Sequence, residues 1–381
     1  MKKLIFLTII LFIGIVLLKI NENNNKNYEE KGVFISYIDY QILKNKTAFE
    51  TEKIIEDMVS NISYLGLNTI ILQVSAFNDS IYYSDIYKSS KVVVEKEGDE
   101  LPLDILNCFI EKAKLKNIKV YAWINPFRIR NKNDISDINK DSYYYKWLDT
   151  DNIERSENGI FLNPASSEVI DYITLIIEEL IKNYDIKAVL FDDYYYPSET
   201  IDLKTYEESD KKVSLKEYRI NNINKLIEKS YKKVKSSNPN IKFGLSPSGN
   251  IENNLEKEYL DIESILNKDY IDFVIPQLYY GFNNTNKPYL DTLKKWESIS
   301  NNKDLYLALA LYKSGKQDAF ALNGKNEWIE NSDIIKKQII AGRNVKNYKG
   351  FFIYRYEFLF NKLDNDILDK EIDNLKTITV N

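Results

Sequence analysis

Eight short apolar runs separated by amphipathic ones leave this chain few folds to choose from. The runs are Val33–Tyr37, Thr69–Val74, Lys119–Ile124, Lys187–Asp192, Lys242–Ser246, Phe273–Gln277, Leu305–Ala310 and Gly350–Tyr354. They are short, rich in β-branched and aromatic residues, and bounded by turn formers, so they read as buried strands. Between them lie helix-like stretches: Glu52–Leu65, Pro102–Lys116, Ser167–Tyr184, Leu215–Ser237, Glu256–Asn267, Tyr289–Ser300 and Ser332–Asn344. Ile54, Met58, Ile62 and Leu65 show the spacing of one helical face. Strict alternation of this kind predicts an α/β fold, a closed (β/α)₈ TIM barrel. An open doubly wound sheet is the alternative, but no glycine-rich phosphate loop follows any strand.

The 381 residues, 44% hydrophobic, suffice for one large barrel core. A net charge of −5 without a basic stretch argues against a nucleic-acid partner. Histidine is absent, which removes Ser–His and Cys–His nucleophile systems and histidine-ligated zinc. Carboxylates, tyrosines, lysines and backbone remain. No loop has the spacing of a calcium motif, no metal site or cofactor is called for, and a monomer is expected. The single cysteine, Cys108, reads as a packed thiol in a helix.

Lys2 and Lys3 precede an apolar run, Leu4 to Leu18, and Lys19 follows it. The positive flank predicts a cytoplasmic N-terminus with the body exported. No small-x-small cleavage site follows, so residues 1–20 read as an uncleaved signal anchor rather than a removed signal. Residues 21–31 read as a solvated tether, and 32–381 as the barrel. The expected location is the cell membrane, with the barrel extracytoplasmic, or secreted if the segment is cleaved.

Polar and aromatic residues collect just after the predicted strands, on the side where a barrel keeps its chemistry. The second carries Gln73 and leads to Asp79; the third leads from Trp123 to Asn125 and Arg128; Asn163 precedes the next helix. The fourth ends at Asp192, with Asp193 and Tyr194 next; Ser246 ends the fifth; Gln277 ends the sixth, followed by Tyr279; Glu357 follows the eighth. Taken singly, each has an ordinary explanation, a turn starter or a capping or solvated carboxylate. Their recurrence at strand ends describes a cleft of flat apolar faces beside hydroxyl-binding amides, the surface a sugar ring needs. Three long connections, Ser75–Leu101, Asn125–Ser166 and Ser198–Ser214, lie on the same side.

The chain resembles the glycosyl hydrolase-like 10 family of bacterial extracytoplasmic barrels. The resemblance rests on Asn68–Tyr87, Val120–Ile129, Phe161–Ser166, the FDDYYYP stretch Phe191–Pro197, the YRINNIN stretch Tyr218–Asn224, the FGLSPSG stretch Phe243–Gly249 and Ile271–Phe282. Together these span roughly residues 32 to 360, in the family's order. The chain departs from it in three places: Leu190 and Tyr121 stand where many relatives carry histidine, and Ser248 replaces a phenylalanine. The resemblance implies a (β/α)₈ barrel that hydrolyses a cell-surface polysaccharide.

Glycoside cleavage ordinarily needs two carboxyl groups. Neighbours on a strand point to opposite faces, so Asp192 and Asp193 cannot easily flank one bond. Two schemes follow. In one, an Asp of the pair works with a distant carboxylate, Glu357 or Asp79. In the other, the substrate's own 2-acetamido group attacks, with Asp193 as proton donor and Asp192 orienting the reacting group or stabilising the developing cation. The adjacent pair is similar to that of barrel hexosaminidases using substrate assistance, and peptidoglycan glycan is the expected polymer. Tyr194, Tyr279 and Asn125 are expected to position the ring, and Gln73 and Gln277 to donate to hydroxyls. Arg128 is expected to meet an acidic substituent or, equally, to form a loop-packing ion pair. A non-catalytic glycan-binding barrel that scaffolds cell-wall enzymes is the competing class. A metal-dependent deacetylase is disfavoured without histidine.

Overall fold

A computed structural model describes residues 28–192, 194–196 and 198–380. The predicted anchor and the tether up to residue 27 fall outside these, as does Asp193. Among the described residues no helix is long and apolar enough to cross a membrane.

All eight predicted strands form: β1 Glu30–Ile35, β2 Thr69–Ser75, β3 Lys119–Ile124, β4 Ala188–Phe191, β5 Lys242–Leu245, β6 Phe273–Val274, β7 Asp304–Ala310 and β8 Tyr348–Tyr354. They close into one barrel of parallel neighbours, β8 returning to β1. Strand β1 begins at Glu30, inside the span expected to be tether. The cause is visible at the barrel floor: buried Glu30 accepts from the Lys119 ammonium at 2.7 Å and from the Tyr121 hydroxyl.

Period-two alternation divides the strand side chains. Phe34, Ile71, Tyr121, Leu190, Phe273, Tyr306 and Phe352 fill the barrel interior. Val33, Ile35, Ile70 and Leu72 face outward onto the helices. Gly244 makes room for this filling, because a Cβ there would stand 2.3 Å from the Phe273 ring. Tyr121 and Leu190 are therefore buried interior residues rather than rim residues.

The helices follow the predicted order. Ala48–Tyr64 starts at a Thr47–Glu50 capping box and buries Ile55, Met58, Val59 and Ile62. Each such side chain, fully buried, contributes roughly 1.5–3 kcal/mol. Cys108 is buried in helix Ile105–Leu115, as expected. The stretch predicted as one helix over Glu256–Asn267 is instead two pieces, Ile251–Glu256 and Ile262–Asn267. Tyr259 between them takes a left-handed φ of 51°. A final helix, Asp366–Thr379, was not among the predicted ones. Its Glu371 is buried and accepts from the backbone N–H groups of Ile334 and Ile335, at 3.0 and 2.7 Å, capping helix Ile334–Gly342.

Candidate active site

Leu190 points into the barrel and Phe191 outward onto Phe243, so Asp192 points inward again, at the mouth. It is only 4% exposed. Its carboxylate accepts from the Trp123 indole N–H at 3.0 Å, from the Asn125 amide at 3.2 and 3.3 Å, and from the Tyr194 backbone N–H at 3.4 Å. Burial raises the Asp192 carboxyl above the usual carboxylate range, opposed in part by the nearby Arg128 charge and by these donors. Ringed by N–H donors, the group is built to accept and to orient.

Asp192 lies at a cavity of about 300 Å³ at the barrel mouth. Trp123, Ser246, Gln277 and Tyr279 line it, as the sequence places them, together with Tyr194. The Gln277 amide donates to the Ser246 carbonyl at 3.1 Å, leaving the second of its two N–H groups for other acceptors. Phe34, Tyr312 and Tyr354 complete the wall, and the Tyr279 ring lies 5.9 Å from Tyr312 and 5.8 Å from Tyr354. Tyr312 belongs to a single 3₁₀ turn after β7, Leu311–Lys313, too short to show any periodicity in sequence.

Tyr194, half exposed, is shared with a larger outer groove of about 720 Å³. One wall comes from the long connection after β3, which forms an antiparallel sheet of Arg128–Arg130, Gly159–Leu162 and Ile153–Ser156, and another from the loop after β4. Arg128 stands where groove and sheet meet. Its Nε donates to the Ala76 carbonyl at 3.0 Å, and its guanidinium lies 4.6 Å from the Phe77 ring centre and 5.4 Å from that of Tyr194. Among the described residues, the Ala76 carbonyl and these aromatic faces hold it.

Other expected site residues are not brought to the cavity. Glu357 accepts from Arg355, which also pairs with Asp39 at 2.7 Å, and it lines a separate pocket with Asp57 and Asn61. Its neighbour in the chain has claimed it. Asp79 is buried within its own loop, accepting from the Ala76 and Phe77 backbone N–H groups at 3.3 and 2.9 Å. Asn163 is fully buried, donating to the Asp151 carbonyl at 2.7 Å and accepting from Ala165 N–H at 2.9 Å, so it fixes loops rather than lining the cavity. Gln73 neighbours Trp123 across the β2–β3 register, but its Oε1 accepts from the Tyr37 N–H at 3.0 Å and it does not line the cavity. Asp193 lies outside the described residues.

Sequence reasoning missed Glu258. It lines the outer groove and accepts from the backbone N–H groups of Tyr195 and Tyr196, at 3.1 and 3.2 Å. It sat within a stretch read as continuous helix, where a carboxylate reaching to another loop leaves no periodic signal.

A closed parallel barrel with a tyrosine-walled cavity and a buried aspartate at its mouth defines a (β/α)₈ barrel whose candidate site lies at the carboxyl ends of the strands, where barrel enzymes keep theirs. The profile of the family described as glycosyl hydrolase-like 10 matches residues 29–330, and the chain belongs to that family. Glycosyl hydrolase DigH of Escherichia coli K12 is 28% identical over 336 residues, covering 80% of this chain and 75% of that protein. Glycosyl hydrolase YngK of Bacillus subtilis is 26% identical over 380 residues, covering 92% and 72%. Among solved structures, the PgaB (BpsB) glycoside hydrolase domain from Bordetella bronchiseptica superposes with a TM-score of 0.58 at 13% identity, covering 91% of this chain and 99% of that one. At that identity the likeness concerns the fold alone.

Proposed function

We propose that the protein is an extracytoplasmic glycoside hydrolase acting on a 2-acetamido-sugar polymer of the cell surface, peptidoglycan glycan strands first among them. One observation carries this: the buried Asp192 carboxylate, held by Trp123 and Asn125, at a cavity walled by tyrosines. Aromatic faces suit the apolar faces of sugar rings. The Trp123 and Asn125 donors keep Asp192 an acceptor, the role that substrate assistance assigns to the residue orienting the acetamido N–H. Asp193 is the proton donor of this scheme, Tyr194 and Tyr279 position the ring, and Arg128, on the wall of the outer groove, takes an acidic substituent such as a lactyl carboxylate. Family membership and the relatives named as glycosyl hydrolases point the same way. The outer groove gives a polymer somewhere to lie beyond the first ring.

The test is a pair of substrates. Hydrolysis of N-acetylated glycan, blocked by a thiazoline-type inhibitor, with no cleavage of the de-acetylated glycan, is the expected result. Efficient cleavage of the de-acetylated glycan would rule substrate assistance out.

A non-catalytic glycan-binding barrel is the second reading, and one observation favours it: among the described residues Asp192 is the only carboxylate lining the inner cavity. Glycan binding without the release of reducing ends would select it.

A further inference from the structure

The loop after β4 carries the acidic pair, runs through Tyr194, Tyr195 and Tyr196 to Asp202, and is gripped from two sides. On one, Glu258 reaches over from the break between the two short helices that follow β5. A single carboxylate oxygen of Glu258 takes the backbone N–H groups of both Tyr195 and Tyr196, at 3.1 and 3.2 Å. On the other, buried Arg219 of helix Leu215–Ser237 donates to the Glu199 and Ile201 carbonyls at 2.7 and 3.2 Å and to the Asp202 carboxylate at 2.8 Å. Tyr259 joins the two grips: its hydroxyl accepts from Arg219 at 2.8 Å and its ring lies 5.0 Å from that of Tyr196. Arg219 belongs to the YRINNIN stretch, for which the strand-end chemistry has no use.

We propose that Glu258 is a positioning residue: it fixes the peptide groups just beyond the acidic pair so that Asp192 and Tyr194 meet the glycan in register. This rests on the hydrolase function proposed above. A carboxylate accepting two N–H groups makes charge-assisted bonds, stronger than neutral ones. Glu258 makes them from the wall of a solvent-open groove. What it does fix is the backbone between Tyr194, shared by cavity and groove, and the Arg219 anchor. A shift of Tyr195 would carry Tyr194 with it and pull the Tyr194 N–H away from Asp192.

The experiment measures kcat and KM on purified peptide-free peptidoglycan glycan strands for the wild type, Glu258→Ala and Glu258→Gln, with a thermal melt of each. Glutamine keeps the accepting oxygen and drops the charge. Glu258→Ala is expected to lower kcat roughly a hundredfold, the scale of a misplacement of about 1 Å. Glu258→Gln should recover to within about tenfold of wild type. A Glu258→Ala protein with the wild-type kcat overturns the proposal. So does a Glu258→Gln protein as impaired as Glu258→Ala, because the charge, not the held loop, would then matter. If Glu258→Ala does not fold, Glu258→Gln decides alone: a kcat near wild type supports positioning, and a collapse overturns it. If the wild type cleaves nothing, the hydrolase function fails, and affinity for the same strands decides instead. Binding weakened in Glu258→Ala and restored in Glu258→Gln supports positioning; equal affinities overturn it.

Discussion

The Trp123 indole N–H donates to the Asp192 carboxylate at 3.0 Å, joining the ends of neighbouring strands β3 and β4 at the barrel mouth. Trp123→Phe keeps an aromatic face and removes this donor. A hydrogen bond to a charged group contributes about 1.5–3 kcal/mol, so kcat/KM is expected to fall roughly ten- to a hundredfold. Donors to a carboxylate favour its ionised form, so losing one raises the Asp192 pKa further. The acid limb of the pH profile should therefore move to higher pH. A limb that stays in place would show that Asp192 does not act as the carboxylate.

Arg219 and Asp202 form an ion pair with both side chains almost wholly out of solvent. Arg219→Met would strand the Asp202 charge, a loss on the order of 3–5 kcal/mol. Urea denaturation of the variant should show it, and Asp202→Asn in the same chain should restore part of it. A change under 1 kcal/mol, on the order of an exposed pair, would contradict the buried pairing.

Glu371 gives the fold a pH dependence of definite sign. Burial pushes its carboxyl from 4.5 up to about 7, although the Ile334 and Ile335 N–H groups oppose the shift. Between those values the folded protein holds a proton that the unfolded chain has released. Stability from this group is therefore present at low pH and is lost as pH rises through about 7, by at most about 1.4 kcal/mol per pH unit. Denaturation curves of wild type and Glu371→Gln should diverge in slope between pH 4.5 and 7. Parallel curves would contradict the burial of an ionisable group there.

How far the sequence could be read depended on whether a role is local. The barrel strands are short apolar runs, and all eight were legible. The start of β1 was not, because Glu30 looks like solvated tether until Lys119 and Tyr121 meet it at the barrel floor. Helix Asp366–Thr379 escaped notice because its buried positions Leu368, Glu371, Leu375 and Thr379 are apolar only at two of the four. At the site, Asp192, Trp123, Ser246, Gln277 and Tyr279 follow from strand-end position alone. Glu357 fails the same logic because Arg355 takes its carboxylate, and Asn163 because Asp151, Glu154 and Thr205 take its amide. Glu258 was out of reach, since its partners lie on another loop more than sixty residues away in sequence.

The most direct measurement is reducing-end release from purified peptidoglycan glycan strands by the wild type and by Asp192→Asn, with binding to the same strands measured in parallel. The expected result is steady release by the wild type and a loss of release in Asp192→Asn while the strands remain bound. Equal release from both proteins, or binding by the wild type with no release at all, would contradict a hydrolase built around Asp192.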